Sequence, residues 1–338
     1  MINIGVIGYG YWGPKLVRNF TENVESTVLH VADLDPARLA QAQAQYPGIH
    51  VASDHREMLR DSRVDAVAVA TPVATHFELA REALENGKHV LVEKPISDRV
   101  EEADALTDLA AEKKRVLMVG HTFLYAGAVR KIKEIVDSQE LGQIYYFDSV
   151  RITLGRFQQE ANVLWDLAAH DVSIMLHVLG VMPVAVSAHG LCHFKEGSED
   201  IAYLTALFEN RCIAHFHVNW LAPVKVRVTL IGGSRKMVVY DDTQAFEKVK
   251  VYDRGLSVES REDIYEILMQ YRSGDMHAPR LDQTEPLQVE VRHFLDCIRT
   301  GKRPLSDGRF ARGVVRVLEA AQRSLRQGGK TVPLEGKV

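Results

Sequence analysis

Hydrophobic and polar positions follow two different patterns along the chain. As far as about residue 121, short apolar runs that predict strands are separated by amphipathic stretches that predict helices. Because short strands linked by helices are typical of a parallel sheet with both faces buried, we expect a doubly wound α/β domain here. The predicted strands are Ile2 to Ile7, Val28 to Ala32, Ile49 to Ala52, Ala66 to Ala70, Val90 to Val92 and Val116 to Val119, and the predicted helices include Ala37 to Tyr46, Thr75 to Asn86 and Glu101 to Lys114.

After a predicted helix at Ala128 to Ser138, the chain becomes rich in strands. Tight connections such as Glu209-Asn210-Arg211 predict antiparallel pairing. Further helices are predicted at Asp166 to Leu179, Leu287 to Arg299 and Phe310 to Gln327. The predicted strands are Ile144 to Ile152, Pro183 to Leu191, Ile201 to Phe208, Cys212 to Leu221, Lys225 to Ile231, Lys236 to Tyr240 and Lys248 to Tyr252. We therefore expect two domains: a Rossmann domain at residues 1–121, and an α+β domain with a large, mostly antiparallel sheet at residues 122–338.

A glycine-rich turn directly follows the first strand. The run Gly8-Tyr9-Gly10-Tyr11-Trp12-Gly13 precedes Pro14 and an apolar helical pattern. Gly8 permits a tight turn, Gly10 lets the backbone approach a diphosphate, and Gly13 allows close packing of helix on strand. The N-terminus of the following helix offers unpaired N–H groups and a positive dipole end. This pattern predicts a dinucleotide site, and the alternative is a glycine-rich turn without a ligand.

Asp33 ends the second strand, about twenty residues beyond the last glycine of the turn, where Rossmann domains carry an acidic residue. Its carboxylate can accept hydrogen bonds from the adenosine ribose, whereas a 2′-phosphate would meet a like charge. No Arg follows immediately in Asp33-Leu34-Asp35-Pro36, so NAD is favoured over NADP. The alternative is that Asp33 and Asp35 only form a turn and cap the next helix.

Two further groups of residues predict chemistry on an alcohol. Lys94, in Glu93-Lys94-Pro95, lies at the carboxyl edge of its strand, where doubly wound sheets bind ligands. There its amine can stabilise an alkoxide. The alternative, which the motif by itself would favour, is a surface Glu-Lys pair at the start of a loop. Asp166 and His170 are four residues apart on one predicted helix and therefore share a face. A carboxylate that orients an imidazole is suited to a general base near neutral pH.

Other polar residues have less specific interpretations. We expect His177, in an apolar run, to be a core histidine, and Asp171 to be a second polar contact or a solvated residue. His215 and His217 share one face of a strand, but no metal-binding spacing accompanies them, so no metal site is predicted.

Composition limits the function further. The chain has 338 residues, 46% of them hydrophobic and 25% charged, and a formal net charge of −4. Nucleic-acid binding draws on clustered excess Lys and Arg, which this balance disfavours. No apolar run reaches membrane length, and the first strand begins at residue 2, so we expect a cytoplasmic protein with small-molecule ligands and no membrane partner.

Taken together, four ordered motifs resemble the family of glucose-fructose oxidoreductase, inositol dehydrogenase and MocA (Gfo/Idh/MocA). They are the glycine run at 8–13, Ala70-Thr71-Pro72-Val73-Ala74-Thr75-His76, Glu93-Lys94-Pro95, and Asp166 with His170. The resemblance covers nearly the whole chain. It implies an NAD-dependent dehydrogenase acting on a CH–OH group of a sugar or cyclitol.

The resemblance also implies roles for particular residues. Lys94 and His170 would be the catalytic pair, with Asp166 ordering the imidazole and the substrate, which all three would contact. Some relatives carry Arg after the sixth strand, where this chain has Gly120-His121-Thr122-Phe123-Leu124-Tyr125, so His121 and Tyr125 are candidate substrate contacts. A packed aromatic is the alternative for Tyr125, and Arg272 is a candidate contact for an anionic group. The implied cofactor contacts are Gly8, Tyr9, Gly10, Tyr11, Trp12, Gly13, Asp33, Thr71, Pro72, His76, Glu93 and Lys94, with Glu93 near the nicotinamide.

Within the family, the glycine run and Thr284-Glu285-Pro286-Leu287 are most similar to members that handle nucleotide-linked or amino sugars. The best single expectation is 3-dehydrogenation of a UDP-N-acetylglucosaminuronate-type substrate. A homodimer or homotetramer through an open-faced C-terminal sheet is also implied. Two alternatives stay open: a redox-assisted glycosidase that retains NAD, and a non-catalytic dinucleotide-binding regulator, against which the presence of Lys94 and His170 counts.

Overall fold

A computed structural model describes residues 1–155, 161–257 and 270–334 of the chain. Contacts divide it into two compact units. The first comprises Met1–Tyr125 and Thr284–Arg316, and the second comprises Ala126–Gln283 and Val317–Val338. The grouping of residues 284–316 with the first unit was not predicted from the sequence pattern.

The first unit contains the predicted doubly wound sheet. Its six strands are all parallel, in the order β3-β2-β1-β4-β5-β6. This confirms the Rossmann fold, whose strand order reverses between β1 and β4. The strands are β1 (Ile2–Ile7), β2 (Ser26–Ala32), β3 (His50–Ala52), β4 (Ala66–Val69), β5 (His89–Glu93) and β6 (Leu117–Gly120), and the helices are α1 (Gly13–Glu22), α2 (Pro36–Gln45), α3 (His55–Arg60), α4 (His76–Glu85) and α5 (Val100–Glu112).

Local sequence explains where these elements begin. The four residues of β4 are all buried, as expected for a central strand covered on both faces. Asp35 caps α2 by accepting a hydrogen bond of 2.9 Å from the Ala37 N–H, and Pro36 follows at the first helical position. Asp54 caps α3 in the same way. The sequence analysis missed α3 because six residues are too few to show a helical period.

The second unit is built on a nine-stranded sheet in the order β14-β13-β12-β11-β7-β10-β9-β8-β15. Neighbouring described strands are antiparallel except β10 and β7, which are parallel, so the mostly antiparallel prediction is confirmed. The strands are β7 (Ile144–Leu154), β8 (Ala185–Leu191), β9 (Ile201–Leu207), β10 (Ile213–Asn219), β11 (Leu221–Gly233), β12 (Met237–Asp241), β13 (Val249–Ser257), β14 (Gln270–His277) and β15 (Val332–Pro333). Helices α6 (Gly127–Asp137) and α7 (Ala169–Leu179) belong to this unit, α8 (Pro286–Thr300) belongs to the first, and α9 (Gly308–Arg326) contributes residues to both.

One face of the nine-stranded sheet carries exposed apolar side chains. Along β9, Ala202, Leu204 and Ala206 are buried, whereas Tyr203 is 43% and Leu207 is 41% exposed. Leu207 pairs with Ile213 of β10, which is 44% exposed, so the apolar character continues across strands. We call this surface the open face.

A buried ion pair ties α7 to the sheet. The Arg151 guanidinium donates two hydrogen bonds of 2.8 Å to the Asp171 carboxylate, and these side chains are only 5% and 3% exposed. The solvated alternative for Asp171 is therefore wrong, because its carboxylate is buried and bonded to Arg151. Strand β7 was too far away in sequence to be recognised as the source of its partner.

Removing one member of this pair leaves a buried charge without its counter-ion. We expect Asp171→Ala to lower the free energy of unfolding by about 3–5 kcal/mol, measured by urea denaturation. The double variant Arg151→Met with Asp171→Leu should lose much less, since no charge is left behind. Arg81→Ala, which removes two exposed ion pairs on α4, with Glu78 and Glu85, serves as the control and should change stability by less than about 1 kcal/mol. A single variant no less stable than the control would contradict the assignment.

Candidate active site

The glycine turn after β1 has the geometry that a dinucleotide site requires. Gly8 has a φ of 94°, and a Cβ placed there would lie 2.7 Å from the carbonyl oxygen of Ala70. A Cβ on Gly13 would lie 2.2 Å from the Gly8 carbonyl oxygen. Gly10 is different, because the atom closest to a Cβ placed there would be Nη1 of the Arg38 guanidinium, at 3.6 Å. Packing thus excludes side chains at Gly8 and Gly13, while a side chain at Gly10 would meet only Arg38.

The N-terminus of α1 is suited to a diphosphate. Trp12 occupies the cap position without a side-chain hydrogen bond to the first turn, so no side chain blocks this end of the helix. Pro14 has no N–H and the Lys15 N–H donates a 3.0 Å hydrogen bond to the Trp12 carbonyl, so the Gly13 N–H is the candidate donor to an anion. The Lys15 Nζ lies 3.5 Å from the ring centroid of Tyr11 and 4.3 Å from that of Trp12, which adds positive charge beside the turn. Tyr9 instead packs in the core, 1% exposed. These residues fit NAD, which would be held mainly by backbone groups.

Asp33 is oriented by its neighbours, and a basic residue accompanies it. Its Oδ2 accepts a hydrogen bond of 2.6 Å from the Tyr9 N–H, and its Oδ1 accepts one of 2.9 Å from the Asp35 N–H. Arg38 Nη1 lies 3.5 Å from Asp33 Oδ2, and Arg38 Nε lies 3.4 Å from Asp35 Oδ2. The prediction of NAD rested only on the residues directly after Asp33. The helical spacing from Asp35 to Arg38 could have revealed that Arg38 returns to this position.

His76 links the loops that follow β4 and β5. Its Nδ1 lies 2.7 Å from the Pro95 carbonyl oxygen, and its Nε2 lies 2.8 Å from the Thr71 carbonyl oxygen. Burial lowers the pKa of His76. The two carbonyl oxygens act in the opposite direction, because they favour the protonated ring, but the effect of burial is larger. Thr71 is also tied to its own loop by a 2.8 Å hydrogen bond with the Thr75 hydroxyl, whereas Pro72 is exposed. His76 thus fixes the position of the Lys94-Pro95 segment, whose peptide bond is cis.

The remaining first-unit candidates are buried to different degrees. Lys94 is half-buried and its N–H donates a 3.3 Å hydrogen bond to Glu93 Oε2. His121 is 1% exposed, and burial, followed by the charge of Lys94, lowers its pKa to about 3. Tyr125 is 3% exposed, with its hydroxyl 3.2 Å from the Ser306 Oγ, which is the geometry of a packed aromatic. Substrate contacts by His121 and Tyr125 stay predictions. The Arg272 side chain lies outside the described part of the structure.

In the second unit, Asp166 and His170 are half-buried but do not lie on one regular α-helix. Asp166 belongs to a π-helical turn, Leu164–Ala168, and α7 begins only at Ala169. The prediction that one regular α-helix carries both Asp166 and His170 is therefore wrong. Such wider turns often occur at functional sites. The Trp220 Nε1–H donates a 3.0 Å hydrogen bond to Asp166 Oδ2, a contact between distant segments that the sequence analysis missed.

His177, further along α7, is half-buried and not fully enclosed in the core. Burial lowers its pKa to about 4, so the ring is neutral near neutral pH. Among the described residues, no three His, Cys, Asp or Glu side chains are grouped so that they could hold a metal ion. Within the same residues, no helix combines the length and apolar content that crossing a membrane demands.

Comparison with known proteins identifies the family. Residues 2–121 match the model of the oxidoreductase family with an NAD-binding Rossmann fold, and residues 129–239 match the GFO/IDH/MocA C-terminal domain. The chain belongs to the Gfo/Idh/MocA family. The predicted resemblance is confirmed, and with it the expectation of an NAD-binding oxidoreductase of the sugar and cyclitol dehydrogenase class.

Relatives within the Gfo/Idh/MocA family act on different alcohols. The chain is 26% identical to scyllo-inositol 2-dehydrogenase (NAD(+)) of Bacillus subtilis, over 97% of this chain and 95% of that protein. It is 26% identical to UDP-N-acetylglucosamine 3-dehydrogenase of Acidithiobacillus ferrooxidans, with 94% of each chain covered. Among solved structures, GenD2 from gentamicin A biosynthesis in complex with NAD superimposes with a TM-score of 0.83 at 25% identity, covering 99% of this chain and 97% of GenD2.

The pairing of Asp33 with Arg38 leads to a prediction about cofactor choice. We expect Asp33→Asn to raise the Kd for NAD about tenfold, because the ribose loses a charged acceptor, and to affect NADP less. Arg38→Ala should raise the Kd for NADP about tenfold and change that for NAD much less, because the guanidinium is the cation beside the ribose position. Isothermal titration with both dinucleotides measures these changes. Arg81→Ala is the control, and an unchanged NAD/NADP ratio in both variants would refute the assignment.

Proposed function

We propose that the protein oxidises a ring alcohol of a nucleotide-linked amino sugar, with a UDP-N-acetylglucosaminuronate-type 3-hydroxyl as the best single substrate. The observation that supports this most is the full-length similarity to a UDP-N-acetylglucosamine 3-dehydrogenase, in a chain that carries Lys94, Asp166 and His170. The equally long similarity to an inositol dehydrogenase makes cyclitols the comparison substrates.

The proposed chemistry divides the work between an amine and an imidazole. When bound, NAD supplies the hydride acceptor. Lys94 polarises the alcohol oxygen and stabilises the developing alkoxide, while His170 accepts the hydroxyl proton. Asp166, which accepts the hydrogen bond from Trp220, orders the imidazole and the substrate. His76 acts as a positioning residue, because it holds the carbonyl next to Lys94.

We also propose that the open face joins copies of this chain into a homodimer or homotetramer. Tyr203, Leu207 and Ile213 are each more than 40% exposed on neighbouring strands. An exposed sheet face that carries apolar side chains on neighbouring strands is typical of a subunit interface.

The proposed reaction predicts NADH formation with a nucleotide sugar. We expect NADH absorbance to rise when the protein and NAD are given UDP-N-acetylglucosaminuronate, with a higher kcat/KM than for UDP-N-acetylglucosamine or inositols. Lys94→Ala and His170→Ala should each lower kcat by about two to four orders of magnitude while NAD still binds, because each removes one part of the proton transfer.

Matched surface variants separate these effects from general damage. Lys113→Ala and His50→Ala remove a lysine and a histidine from exposed positions and should keep full activity. Full activity in Lys94→Ala or His170→Ala would refute the mechanism. Glycoside hydrolysis without NADH accumulation would instead favour a redox-assisted glycosidase.

Assembly through the open face predicts a change in mass when that face is charged. Ile213→Glu should shift the protein to the monomer mass in light scattering after gel filtration, because it places a charge within an apolar interface. Val24→Glu, at a position 89% exposed in the first unit, should leave the mass unchanged. A wild-type monomer, or an oligomer that survives Ile213→Glu, would exclude this interface.

A further inference from the structure

Two carboxyl side chains are buried in the first unit at the end of the sheet that carries Lys94. Glu93 ends β5 and is 8% exposed, and Glu290, on α8, is 1% exposed. Asp and Glu are almost never buried to this degree unless they are paired or protonated. The two carboxyl groups are close enough for the charge of Glu93 to raise the pKa of Glu290 further above the value that burial gives it.

The backbone leaves a defined space for the Glu93 carboxyl group. Glu93 pairs with Gly120 of β6, and a Cβ on Gly120 would lie 3.2 Å from both Cδ and Oε2 of Glu93. The carboxyl group therefore lies over a glycine, where a larger residue would displace it. Its Oε2 accepts the 3.3 Å hydrogen bond from the Lys94 N–H, so the carboxyl is held directly beside the proposed catalytic residue.

Several groups from neighbouring elements of the first unit set the charge of Glu93. Burial raises its pKa to about 7, while Lys94, on the same loop, and Lys15, on α1, act in the opposite direction. The Thr122 hydroxyl donates a 2.7 Å hydrogen bond to Glu290 Oε2, whereas Glu290 Oε1 has no partner among the described residues. Both ring nitrogens of His121 also lack a described partner, and this ring stays neutral. Glu93 is thus the member of the group whose charge changes near neutral pH.

We propose that Glu93 couples its protonation to the oxidation state of the nicotinamide, ionised in the NAD+ complex and protonated in the NADH complex. This inference rests on the proposed function, through the expected position of the nicotinamide beside Glu93. The oxidised ring carries one positive charge and the reduced ring carries none. In a buried site a carboxylate interacts with such a charge much more strongly than it would in water.

The proton and electron count balances. A hydride carries two electrons from the alcohol carbon to the nicotinamide, the carbon becomes a ketone, and the hydroxyl proton leaves through His170. Glu93 takes up one proton from solvent as the positive charge of the ring disappears. The net charge around the nicotinamide therefore stays the same, which avoids leaving a buried anion without a cation after the reaction.

The sign of the pH dependence follows from this linkage. NAD+ stabilises the ionised carboxyl and lowers the pKa of Glu93 in its complex, so NAD+ binding strengthens as pH rises through the neutral range. NADH offers no such stabilisation. Each unit by which the pKa differs between the two complexes changes the ratio of the two dissociation constants by about tenfold.

Binding of the two cofactor forms without substrate tests the proposal. We expect Kd(NADH)/Kd(NAD+) for the wild-type chain to rise about tenfold between about pH 6 and about pH 8.5, measured by titration calorimetry. In Glu93→Gln, which keeps the shape but cannot ionise, the ratio should change by less than about twofold. Glu290→Gln is the matched control and should keep the rise, since Glu93 and its hydrogen bond from the Lys94 N–H stay in place. Glu93→Asp should restore the rise, which a purely structural role would not predict.

Proton release gives an independent measurement. Near pH 7, NAD+ binding to the wild-type chain should release about half a proton, detected as a difference in heat between two buffers of unlike ionisation enthalpy, and binding to Glu93→Gln should release none. A flat wild-type ratio, or a rise that survives in Glu93→Gln, overturns this inference while NAD-dependent oxidation stands. Failure of both cofactor forms to bind overturns the proposed function as well.

Discussion

A parallel sheet covered on both faces has few places for polar groups, and this constraint organises the first unit. Strands such as β4 are wholly buried, so the candidate functional side chains concentrate where the strands end. The glycine turn follows β1, Asp33 follows β2, Thr71 comes just after β4 and Lys94 follows β5. Close contact between Gly8 and the Ala70 carbonyl brings the first and third of these ends together.

Carboxyl groups at the carboxyl edge of the parallel sheet have two kinds of surroundings. Asp33 accepts backbone hydrogen bonds and lies near Arg38, so its negative charge is available to a ribose. Glu93 and Glu290 are buried with few partners, and their pKa values are raised. Carboxyl groups at this edge therefore have different hydrogen-bond partners because their surroundings differ. The Asp171 carboxyl of the second unit is a third case, in which a bidentate Arg151 makes the charge structural.

Much of the fold could be predicted because it depends on local patterns. Alternation of strand and helix identified the six parallel strands, and Asp35 with Pro36 marked the start of α2. Errors occurred where a contact between distant segments decides the outcome. The π-helical turn at Asp166 has no local signal, and its partner Trp220 lies 54 residues away. Arg38 was missed because its importance depends on a helical turn that returns it to Asp33.

By itself, the sequence determined the family, the doubly wound fold, the cofactor class and the motif residues, because each of these is encoded by residue types at short, fixed spacing. The tertiary structure decided which charges are exposed, paired or forced to be neutral. Burial of Glu93 over Gly120, the pairing of Arg151 with Asp171 and the return of Arg38 to Asp33 all join residues from different elements. The pKa of a group depends on the atoms that surround it in space, and a linear pattern does not contain that information.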